Sequence, residues 1–303
     1  MLKQLLLGAA WSLAATAAFA APPDAALQGK LQAVADKARP GTLGIMVMDP
    51  ASGQSVMVNG GRSYLLMSSF KAPIAAAVLA QVDAGKLKLE QKVHLTPADI
   101  VGGSAVPSVG ASLKKGPRDI TIDELLHGAV SESDNTAVDA LLHVLGGPAV
   151  ATRLLEDKGV HGMRIDLSEG DLAHMFEEKG STAVLASKVD SSTLEAAAGF
   201  LQKLDEGRLL SPASTRKLLG LMTAQVIPSR IRAGLPAGYQ LADKTGTSGT
   251  EDGRRAAFND IGIITGPNGS KRIVVLFLSD SPASSDEATG WFAEIGKITA
   301  ASM

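Results

Sequence analysis

The sequence predicts an α/β protein of the α+β type. One antiparallel five-stranded sheet is built from both termini and flanked by helices, with an all-helical lobe inserted between its halves. Three observations carry that prediction. Strand-like runs occur only towards the two ends, at residues 42–58 and 239–278. The stretch between them reads mostly as helix. No internal repeat, low-complexity tract or Pro/Ser linker marks independent domains, so the two strand-bearing ends are expected to pair with each other.

The first twenty residues stand outside this scheme. Lys3 precedes an apolar run from Leu5 to Ala18, and Ala18-Phe19-Ala20 has the small-x-small pattern of a cleavage site. That is the layout of a secretory signal peptide, and the run is short for a membrane span. Cleavage after Ala20 is predicted, leaving residues 21–303 as one soluble domain exported to a periplasm. Its α/β lobe takes about 21–66 and 212–303, and its helical lobe about 67–211.

Each element has a local reason. Residues 24–39 place Leu27, Leu31, Val34 and Ala35 three or four apart, an amphipathic helix that stops before Pro40. Residues 42–48 and 54–58 are strands about the turn Asp49-Pro50-Ala51-Ser52-Gly53. Ala and Leu dominate 71–81, which predicts an apolar helix. Thr121-Ile122-Asp123-Glu124 is a capping box ahead of Leu125 and Leu126. Residues 136–145 form a helix stopped by Gly146-Gly147, and Pro148 suits the first turn of the next, which reaches about Lys158. Residues 192–204 and 212–224 add two more helices. Strands return at 239–244, 256–265 and 272–278, the last two joined by Gly266-Pro267-Asn268-Gly269. Residues 285–301 close the chain as a helix with Trp291, Phe292 and Ile295 on one side.

Composition narrows the function. The formal net charge of −2 comes without a basic arm or acidic tail, which argues against nucleic acid and membrane surfaces as partners. With no cysteine, the chain uses neither disulfide nor thiol chemistry. Its five histidines (His94, His127, His143, His161 and His174) lack ligand spacing, so no metal site is expected.

Ser68-Ser69-Phe70-Lys71 opens the 71–81 helix. Ser68 and Lys71 are three apart and share a helix face. A serine hydroxyl needs a base, and a lysine can serve if burial or a neighbouring cation lowers its pKa. The helix N-terminus favours developing negative charge on the serine oxygen. Taken alone, this tetrapeptide is an ordinary helix start. Ser133-Asp134-Asn135 alone is a polar interhelical turn, and Lys244-Thr245-Gly246-Thr247-Ser248-Gly249 alone is a glycine-rich strand end.

In this order, however, Ser-x-x-Lys, Ser-Asp-Asn and Lys-Thr-Gly resemble the signature of penicillin-recognising serine enzymes, and their spacings resemble class A β-lactamases. Ser133 follows Ser68 by 65 residues, and Lys244 follows Ser133 by 111. The resemblance runs from the signal peptide to the last helix and implies a β-lactamase/transpeptidase-like fold. It also implies a β-lactam substrate, no cofactor and a monomer.

The roles follow from what the reaction needs. Ser68 is the nucleophile and Lys71 can be its base. Backbone N–H groups of Ser68 and Thr247 can hold the oxyanion if the strand after Lys244 runs beside the helix start. Ser133 can relay a proton to the departing nitrogen. Asn135 would bind a substrate amide, and Lys244, Thr245 and Thr247 a substrate carboxylate. The resemblance adds Gly246 and Ser248 to the substrate-binding set.

The resemblance also implies a deacylating glutamate on a surface loop, and counting from Gly146-Gly147-Pro148 places it at Glu169. Here the chain departs from the family pattern. Gly170 replaces a proline, and Ala173 stands where an asparagine helps hold the water, leaving Asp171 or His174 as polar substitutes. The stretch Val101-Gly102-Gly103-Ser104-Ala105-Val106-Pro107 lacks the usual cleft aromatic. Counting back from Gly262 puts Arg255 where class A enzymes often bind a carboxylate. Lys244-Thr245-Gly246-Thr247-Ser248-Gly249 and Asn259-Asp260 together resemble the branch of class A that includes extended-spectrum enzymes. Two rivals remain open. One is a penicillin-sensitive D-alanyl-D-alanine peptidase using the same motifs, and the other is a non-catalytic binding or sensor module.

Overall fold

The computed structural model describes residues 24–228 and 230–303, and the predicted signal peptide with its cleavage site lies outside them. The N-terminal part comprises α1 (Ala25–Lys37), β1 (Thr42–Met48), β2 (Ser55–Val58) and the short β3 (Tyr64–Leu65). A 3₁₀ turn over Met67–Phe70 leads into α2 (Lys71–Asp83). The middle comprises β4 (Lys92–Leu95), α3 (Ser108–Leu113), β5 (Arg118–Thr121), α4 (Ile122–Ser131), α5 (Asn135–Leu145) and α6 (Pro148–Asp157). It continues through α7 (Glu169–Ser187), β6 (Ser191–Ser192), α8 (Leu194–Asp205) and α9 (Pro212–Thr223). The end of the chain supplies β7 (Gln240–Thr247), β8 (Thr250–Glu251), β9 (Arg254–Thr265), β10 (Lys271–Ser281) and α10 (Ser285–Ala300).

Both ends of the chain enter one antiparallel sheet in the order β2-β1-β10-β9-β7, with β8 added beside β9. The five-strand path matches the expectation, and β8 is a small extension beyond it. Side chains alternate between faces with period two. In β10, Ile273, Val275 and Phe277 join the core beneath the helical middle, while Val274, Leu276 and Leu278 join the core under α1 and α10. Both faces are covered, so these strands read as unbroken apolar runs.

At the centre of the helical part lies α2, buried from Lys71 through Leu79. A helix apolar all round belongs in an interior. It packs on α4, α5, α6 and α9. The capping box at Thr121 starts α4, as its sequence requires.

Two features depart from the sequence reading. The inserted part is not wholly helical: β4 pairs with β5, and β3 pairs with β6. The larger departure is α7, whose start at Glu169 falls where a surface loop is expected and whose remaining length matches no helix read from the sequence. It buries only Glu169, Leu172 and Val184, so it shows little apolar period to read. Its start is fixed instead by the Ser168 side chain, which accepts from the Asp171 N–H. Gly180, at φ 72° and ψ 166°, breaks it near its end.

Candidate active site

The site is assembled where the start of α2, the α4–α5 turn, the start of α7 and the end of β7 converge. Ser68 sits in the 3₁₀ turn ahead of α2 rather than in the α-helix itself, and Lys71 is the first residue of α2. β7 passes very close to this turn. A Cβ at Gly246 would lie 2.6 Å from the Leu66 carbonyl oxygen and 2.9 Å from the Ser69 nitrogen. Only glycine allows that approach. Asn259 on β9 fastens the same segment, its Nδ2 donating to the carbonyls of Leu65 and Leu66 at 2.8 and 2.9 Å.

Ser68, half-buried, donates its hydroxyl to Glu169 Oε1 at 3.0 Å. The same oxygen lies 3.0 Å from Lys71 Nζ. Lys71 is fully buried and also donates to the Ser133 carbonyl at 2.9 Å, to Ser133 Oγ at 3.4 Å and to Asn135 Oδ1 at 2.6 Å. From the other side, Lys244 Nζ donates to Ser133 Oγ at 3.0 Å. One serine hydroxyl therefore links two buried lysines. Burial, with the Lys71 charge close by, brings the Lys244 ammonium down to about 7.

The middle residue of Ser133-Asp134-Asn135 is structural. Asp134 is buried and caps α5 through the Ala137 N–H, and its other oxygen accepts from Val109 and Gly110. This fixes the turn that carries Ser133, whose φ of 58° is unusual for a residue with a side chain. Asn135 donates through Nδ2 to the Gly102 carbonyl at 2.7 Å.

Glu169 opens α7 instead of lying in a loop, and Asp139 holds it there. The Asp139 carboxylate accepts from the N–H groups of Glu169 at 2.8 Å and Gly170 at 3.0 Å, two donors with no partner inside the helix. Burial raises Asp139 to about 6. Neither polar substitute for the missing asparagine faces Glu169: Asp171 pairs with Ser168 and His174 with Glu178.

The remaining expected residues divide. Thr245 and Thr247 lie on β7, and Thr247 lines the cleft. Thr245 is tied to Gln225, whose Oε1 accepts from its N–H and hydroxyl and from Lys244 at 3.1–3.3 Å. The Ser248 hydroxyl is committed to the strand end, donating to the Gly249 carbonyl and accepting from the Ala257 N–H. Arg255 does not line the cleft: its guanidinium donates to Ser285 on α10 and lies over Phe258. The buried arginine behind the β7 end is Arg230, which donates to Thr247 Oγ1 at 2.5 Å and to the carbonyls of Gly246 and Asn259. It stacks 3.6 Å from the Phe258 ring centre, and burial lowers it to about 10.

Sequence reasoning missed Asp139, Gln225 and Arg230. Asp139 left one trace, standing four residues after Asn135 on the same helix face. Gln225 and Arg230 lie in the segment between α9 and β7 and reach the site only by packing against β7 and β9, which no local pattern records.

The cleft in front of Ser68 measures about 580 Å³. Glu169, Leu172 and Phe176 of α7 form one wall, and Thr247, Thr250 and Glu251 the other. A hydroxyl, two buried lysines, a carboxylate and a strand edge in one cleft are the parts of an acyl-transfer centre.

A family model described as the Beta-lactamase enzyme family matches residues 26–303. The structure resembles a β-lactamase from Chitinophaga pinensis DSM 2588, with TM-score 0.84, 32% identity, and coverage of 91% of this chain and 99% of that one. It also resembles an ancestral class A β-lactamase of Gram-negative bacteria, with TM-score 0.80, 32% identity, and coverage of 91% and 100%. Motifs, fold and relatives agree, and the chain belongs to the β-lactamase enzyme family, as a class A hydrolase.

Proposed function

We propose that the protein is an exported serine β-lactamase that opens the ring of penicillins and/or cephalosporins through an acyl-enzyme on Ser68. The observation that carries this reading is Glu169 Oε1, 3.0 Å from both Ser68 Oγ and Lys71 Nζ. Ser68 Oγ attacks the lactam carbonyl while its proton passes to the Glu169–Lys71 pair. Backbone N–H groups of Ser68 and Thr247 stabilise the oxyanion. The C–N bond then breaks, and the nitrogen takes a proton from Ser133 Oγ, which Lys71 resupplies with the proton that left Ser68. In the second half, a water activated by Glu169 adds its oxygen to the ester carbon and gives Glu169 its proton. The C–O bond to Ser68 breaks, and the serine oxygen takes back the proton held by Glu169.

Asn135 binds the substrate amide, while Lys244, Thr247 and, once its hydroxyl turns from Gln225, Thr245 hold its carboxylate. Arg230 supports Thr247 from behind and takes the place that the sequence offered to Arg255. A penicillin-sensitive peptidase would keep its acyl adduct, whereas a carboxylate touching the nucleophile favours rapid clearance. A binding module has no use for the whole set.

The test is hydrolysis of a chromogenic cephalosporin by purified residues 21–303. Ser68→Ala should lower turnover by about 10³-fold or more, and undiminished turnover would contradict the proposal. Periplasmic export as a monomer belongs to the same proposal. Mass spectrometry of the periplasmic protein should find Ala21 first, and light scattering a single-chain mass.

A further inference from the structure

α7 runs unbroken from Glu169 to Gly180, so at 1.5 Å per residue Gly180 stands roughly 16 Å along the wall from the reacting centre. There the two walls of the cleft meet. The Glu251 carboxylate on β8 accepts the Ser181 N–H at 2.5 Å, joining segments 70 residues apart in sequence. Gly180 is suited to this contact twice over. Its φ of 72° is one that side chains disfavour, and a Cβ there would lie 2.9 Å from Glu251 Oε1. The hydrogen bonds from Ser181 also hold the Glu251 carboxyl below its usual range, so it stays ionised.

We propose that the Glu251–Ser181 contact is a clasp that closes the far end of the acyl side-chain pocket and limits the length of side chain the enzyme accepts. The proposal rests on the β-lactamase reading above. With the substrate amide at Asn135 and Thr247, its side chain enters the space between α7 and the β7–β8 turn, along Leu172 and Phe176. Those residues suit an apolar or aryl group. A side chain that reaches the Ser181 end must displace a charge-assisted hydrogen bond or stop short of it. Selectivity then appears as a difference in kcat/KM between short and long substrates.

The experiment compares a phenylacetyl penicillin with a penicillin carrying an extended ureido-aryl side chain. In Glu251→Ala the ratio of kcat/KM, long over short, should rise about fivefold to tenfold, chiefly through KM. Glu251→Gln keeps an acceptor for the Ser181 N–H, so its ratio should stay within about twofold of the wild type. Gly180→Ala, which pushes the carboxylate away, should raise the ratio by a second route and carries the test if Glu251→Ala does not fold. Folded Glu251→Ala with an unchanged ratio would overturn the clasp, as would an equal rise in Glu251→Gln. A wild-type enzyme that hydrolyses neither penicillin would instead contradict the β-lactamase reading, and this role with it.

Discussion

In the proposed mechanism Asp139, a side chain outside the motifs, positions the deacylating carboxylate. It touches Glu169 only through backbone N–H groups, yet those bonds fix where the first turn of α7 points its carboxylate. Displacing a catalytic group by about 1 Å can cost on the order of 100-fold. Asp139→Ala should therefore slow deacylation by about 10- to 100-fold while acylation changes less, measured by burst and steady-state kinetics. Lys244 gives a prediction in pH. Its ammonium, lowered to about 7 by burial and by Lys71, is charged below that pH and neutral above it. Lys71, Glu169, Asp243 and Arg230 all act on it. Capture of the substrate carboxylate should weaken as pH rises through about 7, so KM should climb on the alkaline side. Lys244→Arg keeps the charge and should flatten that limb.

Among the elements, the tightest constraint is β7 against the Ser68 turn. Gly246→Ala would drive a methyl group into the backbone at Leu66 and Ser69. Overpacking of this kind costs about 1–3 kcal/mol. The expected result is a lower melting temperature together with an acylation rate reduced by about 100-fold, since Thr247 moves with the strand. How much could be read in advance follows from the same geometry. Ser68 with Lys71, and Ser133 with Asn135, were legible because each pair lies within one turn of chain. The strands were legible because both sheet faces are buried. α7 was not, because so little of it is buried. Counting along β9 fixes only the position of Arg255 in the strand, whereas its guanidinium donates to Ser285 and lies over Phe258 on the α10 side.

For the molecule as a whole, one sheet unites the two ends of the chain and the helical middle. Met46, Ile261 and Phe277 belong to the same core as α2, α4, α5 and α8. The opposite sheet face packs under α1 and α10, where Trp291 lies at the core's edge. Trp11 being the only other tryptophan, Trp291 is the sole reporter in residues 21–303. Because the strands belong to both cores, Trp291 fluorescence and far-ultraviolet circular dichroism should report one coincident thermal transition. Separate transitions would show that the helical part unfolds on its own.

The central claim is that a carboxylate 101 residues from the nucleophile in sequence clears the ester formed on Ser68. Intact-protein mass spectrometry after mixing Glu169→Ala with a penicillin tests it most directly. The expected outcome is a wild-type enzyme seen free of adduct within seconds and a variant that carries one stable acyl mass. A variant that sheds its adduct as fast as the wild type would contradict it.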